Sequence, residues 1–492
     1  MPMVRVTGIA LLAALISLFR FSPNFLHWLA LGTPFTLPEV ARANEALMQL
    51  NHPFVRIDDY TNRVIQWRLF FPLLGHLLSL PPKVYLALPH LGCLLVLIFI
   101  VRLMRKHGCD GWESFAATTL LATCSWFFVS TGLLAFFDSW YVLGLLLFAF
   151  APDLRVVVAT VLITPWIDER FVIMLPLSLA LRLEYLGTFG GPRQRRDDLR
   201  ELAWLGAALL PWLLIRLGAF FAGHDPVTGS YLRDIPNRQG VVEARYYLLG
   251  AWQGIRWAWL LVAAWLVFAC REHQRWRWMV LLAFVVSFGI SLTIAEDISR
   301  SVSTLMPVVV MGILLLKKYR PVRLRPALFA ACALNLIFPA EHVVGNNTGP
   351  IQYFYAALQN PLPSGKEAAF YYNQYALILM QQKRMKEALL VLNISIELNP
   401  AQAETYVNRT AAYAGLGQLG EALADADHAL VLNPGLPSAW RNRGILRSAK
   451  GNFSGAFADF GQALRCAPPD WAQRAEVLSA MTKLRSKMAG TH

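Results

Sequence analysis

The residues best placed to do chemistry in this sequence are carboxylates at the ends of apolar runs. Asp58-Asp59 follows the first run, Asp138 ends the third, and Asp168-Glu169-Arg170 joins the fifth and sixth. His224-Asp225 follows the seventh, and Glu296-Asp297 with Arg300 joins the ninth and tenth. Ionisable groups near membrane depth are costly and mark functional positions by default. A carboxylate there could act as general base on an acceptor hydroxyl or hold a divalent cation, and arginine could clamp a phosphate bidentately. Asp58 or Asp59 is the candidate base or metal ligand, and Arg170 and Arg300 are the candidates to face a donor phosphate, with Asp168, Glu169 and Asp297 as supporting acids. Arg56 and Arg63 stand near the first pair. A lipid-phosphate-linked donor suits such a place, because its phosphate lies at headgroup level while its chain stays in the bilayer. The competing reading for Asp168-Glu169-Arg170 and for Asp297/Arg300 is helix-end pairing. For Asp138, Asp225, His76 and His90 a structural polar contact is the simpler expectation.

The elements that must position these groups are hydrophobic. The chain has 492 residues, 56% hydrophobic and 15% charged, with mean hydropathy +0.43. Soluble proteins carry about 25% charge, so an ordinary soluble enzyme is excluded. Disorder, collagen and coiled coil are excluded by the same aromatic and apolar content. Six Cys without a CxxC pair or Cys/His ligand spacing leave no support for a disulfide scaffold, structural zinc or thiol redox chemistry. About eleven apolar runs read as spans of an all-α polytopic domain over residues 1–340. The first, 6–22, reads as a retained anchor, and the runs 139–151 and 155–167 are short for a hydrocarbon core ~30 Å thick, as broken or re-entrant helices would be.

The net charge of +14 does not make this a nucleic-acid binder. After Ser364 there are 14 basic and 10 acidic residues; the other 31 basic residues lie in the apolar part, many in short clusters between runs. Those clusters are Arg102/Arg105/Lys106, Arg193/Arg195/Arg196/Arg200, Arg271/Arg275/Arg277 and Lys317/Lys318/Arg320/Arg323/Arg325. The positive-inside bias puts them in the cytoplasm. The N-terminus is then cytoplasmic, 23–83 is a long external loop with Trp67–Leu80 lying at the interface, and the acidic junctions and the C-terminus face outward.

From residue 365 to 490 the character changes, after a linker at 341–364. A 34-residue period sets Ala388, Ala422 and Ala456 in one position and Pro400, Pro434 and Pro468 in another. Tyr372, Tyr406 and Trp440 share a third, with Gly417 and Gly451 in the turn. Small residues let two antiparallel helices approach, and proline ends each second helix. The pattern resembles the tetratricopeptide (TPR) repeat, which implies an α-solenoid that binds a protein or peptide partner. Tyr406, Asn408, Trp440 and Asn442 are the candidate contacts. The first window lacks the usual glycines and reads as an atypical cap; residues 471–489 read as a covering helix.

The layout of the first 340 residues resembles the GT-C superfamily of polytopic glycosyltransferases. The matching elements are the external loop with Asp58-Asp59 and the junction Trp166-Ile167-Asp168-Glu169-Arg170. The family places its acid soon after the first span, where Glu39 and Glu45 lie nearer than Asp58-Asp59. The resemblance implies sugar transfer from a polyprenyl-phosphate donor to an external acceptor, with inversion. With the repeats added, the layout is also similar to lumenal O-mannosyltransferases, which implies a protein hydroxyl as one acceptor. The alternative is a non-catalytic membrane anchor for a TPR scaffold that assembles an envelope complex. A transporter is the third reading, weakened by the absence of repeated halves and of mid-span acids.

Overall fold

The computed structural model describes residues 3–21, 38–55, 66–190, 195–221, 244–272, 277–294, 297–344, 347–350, 365–381, 383–469 and 471–489. Asp58, Asp59, Arg56, Arg63, His224, Asp225 and Glu296 lie outside them. The chain divides into two compact units, one formed by Met1–Leu29 with Ala41–Gln359, the other by Ala30–Val40 with Asn360–His492.

In the first unit, α1 (Met3–Arg20) is followed by α2 (Pro38–Asn51) and the short α3 (Phe70–Leu77), then by α4 (Pro82–Lys106). A bent pair, α5 (Gly111–Ala122) and α6 (Ser125–Gly132), turns by 63° at its break. Next come α7 (Asp138–Phe150), α8 (Leu154–Ile163), α9 (Arg170–Phe189) and α10 (Arg195–Phe221). Then follow α11 (Ala244–Ile255), α12 (Trp259–Glu272), α13 (Arg277–Ile294), the single turn α14 (Ile298–Val302), α15 (Met306–Tyr319) and α16 (Pro321–Ile337). Among the described residues six helical segments are long and apolar enough to cross a membrane, and the bent pair makes a seventh. About eleven were expected; three further apolar helices among the described residues, Asp138–Phe150, Leu154–Trp166 and Val280–Leu292, are shorter. The stretches read as spans near 139–151 and 155–167 do form helices, but Asp138–Phe150 and Leu154–Trp166 are shorter than a ~30 Å core requires.

The segment Ile298–Tyr319 is buried from Ile298 to Leu315 and reaches the surface only in its last turn, at Lys318. It can be so buried because Gly312 lets its backbone meet that of α12: a Cβ at Gly312 would lie 2.1 Å from the Leu261 carbonyl oxygen. Close approach through small residues is how apolar helices associate where hydrophobic exclusion of water is lacking. By contrast α10 shows most of its apolar side chains on its outside, as a lipid-facing helix would.

Polar contacts collect at the helix ends. At one end, Asp110 and Glu113 form a reciprocal capping box that starts α5, and Lys317 at the end of α15 reaches Glu113 at 2.7 Å. Arg182 pairs with Glu201 there and donates to the carbonyls of Phe148 and Ala151 that α7 leaves open. At the other end, Arg20 and Arg256 perform that service for the final carbonyls of α16, at Leu336, Ile337 and Phe338.

After α16 the stretch expected to be a linker begins with a hairpin, β1 (Glu341–Val344) antiparallel to β2 (Asn347–Pro350), in register Glu341 opposite Pro350 and Val344 opposite Asn347. Four-residue strands are too short to signal themselves by alternation.

The second unit is a run of helix pairs: α17 (Gly365–Gln381) with α18 (Met385–Leu398), α19 (Ala403–Gly415) with α20 (Leu419–Leu432), α21 (Pro437–Ala449) with α22 (Phe453–Cys466), then α23 (Arg474–Ala489). The period is visible in single bonds. Lys383, Gly417 and Gly451 stand 34 residues apart, each with positive φ (61°, 77° and 81°), and their amides donate to Met380, Ala414 and Ser448. Ala388, Ala422 and Ala456 are all fully buried where the paired helices touch. This is the tetratricopeptide architecture, with α23 closing the last apolar face through Val477 and Leu484.

Candidate functional site

Six segments of the first unit bring charges to one place. Asp138 opens α7, Asp168 and Glu169 follow the 3-10 turn Thr164–Trp166, Arg170 opens α9, and Arg300 lies in α14. Arg42 comes from α2, and Arg68 precedes α3. Asp138 is the hub. Its Oδ1 accepts from Arg170 Nη2 and Arg300 Nε, both at 2.6 Å. Arg170 also forks onto Asp168, Nε to Oδ1 at 2.8 Å and Nη2 to Oδ2 at 2.7 Å. Arg68 reaches Asp168 Oδ2 at 3.0 Å and grips Glu169 with Nη2 at 2.8 Å and Nε at 3.2 Å. Arg300 Nη2 is 3.6 Å from Asp168 Oδ2. Arg42 and Arg300 both lie over the Phe136 ring, 3.9 and 4.8 Å from its centroid.

Burial makes these contacts count. Asp138 and Asp168 are each 2% exposed. Burial alone would raise the Asp168 carboxyl, but Arg170, Arg68 and Arg300 together hold it well below the usual carboxylate range. Burial works to lower the Arg68 guanidinium, yet Asp168 and Glu169 carry it higher. Arg42 is pushed down to about 9 by burial and by the guanidiniums of Arg300 and Arg68; it remains charged at neutral pH. Its hydrogen bond goes to the Ala135 carbonyl at 3.5 Å. Ala135 holds a positive φ of 62° in the turn between α6 and α7, a conformation that costs a non-glycine residue about 1 kcal/mol.

Two buried atoms of the cluster have no hydrogen-bond partner among the described residues: Asp138 Oδ2, an acceptor, and Arg300 Nη2, a donor. Buried polar atoms are nearly always satisfied, so such a pair calls for an explanation.

At the edge of the cluster, Asp297 caps α14 and binds His342 Nε2 at 3.2 Å, while Ser299 Oγ meets His342 Nδ1 at 3.1 Å. The order acid, imidazole, hydroxyl is that of a nucleophilic triad. Ser299 is fully buried, however, and its Oγ accepts from the Val343 amide at 3.1 Å, so the trio fastens β1 to α14. Burial would raise Asp297; His342 and Arg300 lower it.

Of the residues singled out in the sequence, Asp168, Glu169, Arg170, Asp297 and Arg300 share this neighbourhood. Arg170 and Arg300 face carboxylates in it. Asp138, expected to be a structural contact, is its centre. Arg42 and Arg68 were not singled out; an arginine inside Trp-Arg-Leu-Phe-Phe is the signal that could have found Arg68. The described residues contain no group of three or more metal-ligating side chains. With Asp138 and Asp168 gripped by guanidiniums, the donor set does not suit a divalent cation.

In the second unit, the candidate contact residues are drawn into the array itself. Tyr406 is 7% exposed and lies 4.4 Å from the His428 ring. Trp440 donates to the Pro434 carbonyl at 2.8 Å. Asn408 donates to Asn373 Oδ1 at 2.9 Å and Asn442 to the Val407 carbonyl at 3.4 Å, so both amides tie consecutive first helices.

No protein-family model matches the chain, and no curated protein matches it. Solved structures similar to part of it include TPR domains. The first TPR of Spaghetti (RPAP3) bound to the HSP90 peptide SRMEEVD is 21% identical, covering 26% of this chain and 98% of that one, with TM-score 0.24. The Sgt2 TPR domain from Aspergillus fumigatus is 20% identical, covering 26% and 83%, with TM-score 0.25. The Arabidopsis OM64 TPR domain is 26% identical, covering 25% and 98%, with TM-score 0.23.

Proposed function

We propose that the protein is a membrane transferase of GT-C-like layout that binds a polyprenyl-phosphate-linked sugar at the arginine cluster and recruits a protein or peptide acceptor through its repeats. The observation that carries this reading is the unsatisfied pair Asp138 Oδ2 and Arg300 Nη2, set in a cluster with four arginines. A sugar hydroxyl both donates and accepts, so it would satisfy the two atoms together, while Arg42, held by one long bond to a carbonyl, is free to turn toward a phosphate. The acids of the cluster are already engaged by cations, which in this reading leaves proton abstraction from the acceptor to Asp58 or Asp59. In this reading the apolar segments alternate in direction, which brings Asp138, Asp168, Asp297 and the chain after α16 to one end. The basic ends Arg102/Arg105/Lys106 and Lys317/Lys318 then face the cytoplasm, and the cluster and the repeats lie outside it.

The engagement of Asp138 and Asp168 also favours a second reading, a non-catalytic anchor for a TPR scaffold, in which the cluster ties helix ends. Membranes carrying the full protein separate the two. Asp58→Asn with Asp59→Asn is expected to abolish glycan or glycolipid product while retaining polyprenyl phosphate, and Arg42→Gln to weaken that retention. Unchanged product in the double variant would favour the scaffold.

A further inference from the structure

A second site lies at the opposite end of α4. That helix has 25 residues, about 37 Å at 1.5 Å per residue, and its first turns stand near Arg42 through Tyr85. Its last turn, with the start of α1, borders an open cleft of about 340 Å³ lined by Met3, Val6, Arg102, Arg105 and Lys106. Among the described residues three cations and two apolar side chains line it, and no carboxylate does. Arg105 spends one Nη1 bond on the Cys109 carbonyl at 2.8 Å, while its buried Nε has no hydrogen-bond partner among the described residues. Lys106 makes one long bond to the Tyr185 hydroxyl at 3.4 Å. Away from the cleft, α1 leaves Leu11, Leu12, Leu15 and Phe19 exposed, with Phe19 at 73%.

We infer that this cleft binds the phosphate headgroup of an anionic phospholipid, whose acyl chains run along the exposed apolar face of α1. Arg102, Arg105 and Lys106 supply the charge; Met3 and Val6 receive the glycerol and the upper chain. A basic pocket between helices at the membrane interface is matched to such a headgroup, and a soluble anion would leave the apolar wall uncovered. The inference rests on membrane embedding of the first unit and is independent of sugar transfer.

The test uses the full chain in nanodiscs of phosphatidylcholine containing a minor fraction of phosphatidylglycerol, with co-purified lipid counted by native mass spectrometry. The protein should retain phosphatidylglycerol selectively, and inorganic phosphate should fail to displace it. Arg102→Gln with Lys106→Gln should weaken retention by roughly fivefold per cation removed. Arg102→Lys, which keeps the charge, should retain it, as should Arg323→Gln with Arg325→Gln in another basic cluster. Equal loss in the Arg323/Arg325 variant, no preference over phosphatidylcholine, or displacement by inorganic phosphate would each overturn the assignment. Failure of the chain to enter phosphatidylcholine nanodiscs at all would instead refute the embedding on which it stands.

Discussion

At Asp138 two guanidiniums converge on one buried oxygen, and the consequences of removing that charge follow from electrostatics. Asp138→Asn leaves Arg170 and Arg300 facing each other with half their compensation gone. Breaking a buried ion-pair network from one side costs about 3–5 kcal/mol. Thermal unfolding of the purified protein should fall accordingly, whereas Glu169→Gln, at a side chain 36% exposed, should cost under about 1 kcal/mol. Acid should act through Asp168. Its carboxyl sits lower in the fold than the unfolded value of about 3.9, so its contribution is complete above that pH and drains away as pH falls further. A denaturation series between neutral pH and pH 3 that showed no loss attributable to Asp168, by comparison with Asp168→Asn, would contradict the network. Individual residues were partly legible. Acids and arginines at run ends announce themselves because they are expensive there; their division into hub and rim does not, since Asp138 and Asp225 look alike in one dimension.

The elements show the same contrast. The 34-residue period specifies its turns so strongly that Lys383 adopts the left-handed conformation held by glycine one and two repeats on. Lys383→Gly should therefore stabilise the repeats by about 1 kcal/mol, visible as a raised unfolding midpoint. Between paired helices, Arg409 joins Asn393, sixteen residues before it, to Asp425, sixteen after it; Arg443 joins Asp427 and Asp459 in the same way. Asp459 has a second cation in Arg447 at 2.9 Å, so loss of Arg443 leaves it partnered. Arg409→Ala should then destabilise more than Arg443→Ala, by about 1–3 kcal/mol for the stranded Asp425. Equal losses would show that the ladder is not the stabilising contact. In the first unit, Gly312→Ala should cost about 1–3 kcal/mol by forcing α12 and α15 apart. The ladder and the close approach were both invisible beforehand, because each depends on a partner helix that periodicity does not identify.

Over the whole molecule, composition separates an apolar part over residues 1–340 from a repeat part over 365–490, while the tertiary contacts group Met1–Leu29 with Ala41–Gln359 and Ala30–Val40 with Asn360–His492. Sidedness is the whole-molecule prediction. Single cysteines at Arg102 and Asp427 should react with an impermeant thiol reagent from opposite faces of sealed membranes; labelling from one face would place the repeats on the side of the basic helix ends. What the sequence determined by itself was whatever repeats or accumulates: hydrophobic runs, basic clusters, the 34-residue spacing, each set by interactions local to one helix or between chain neighbours. What only the tertiary structure decided was convergence: Arg42, Arg68, Asp138, Asp168, Arg170 and Arg300 come from segments as much as 258 residues apart in the numbering. Charges find one another across such separations only after helices have packed, because the packing chooses which ends coincide, and no local pattern records that choice.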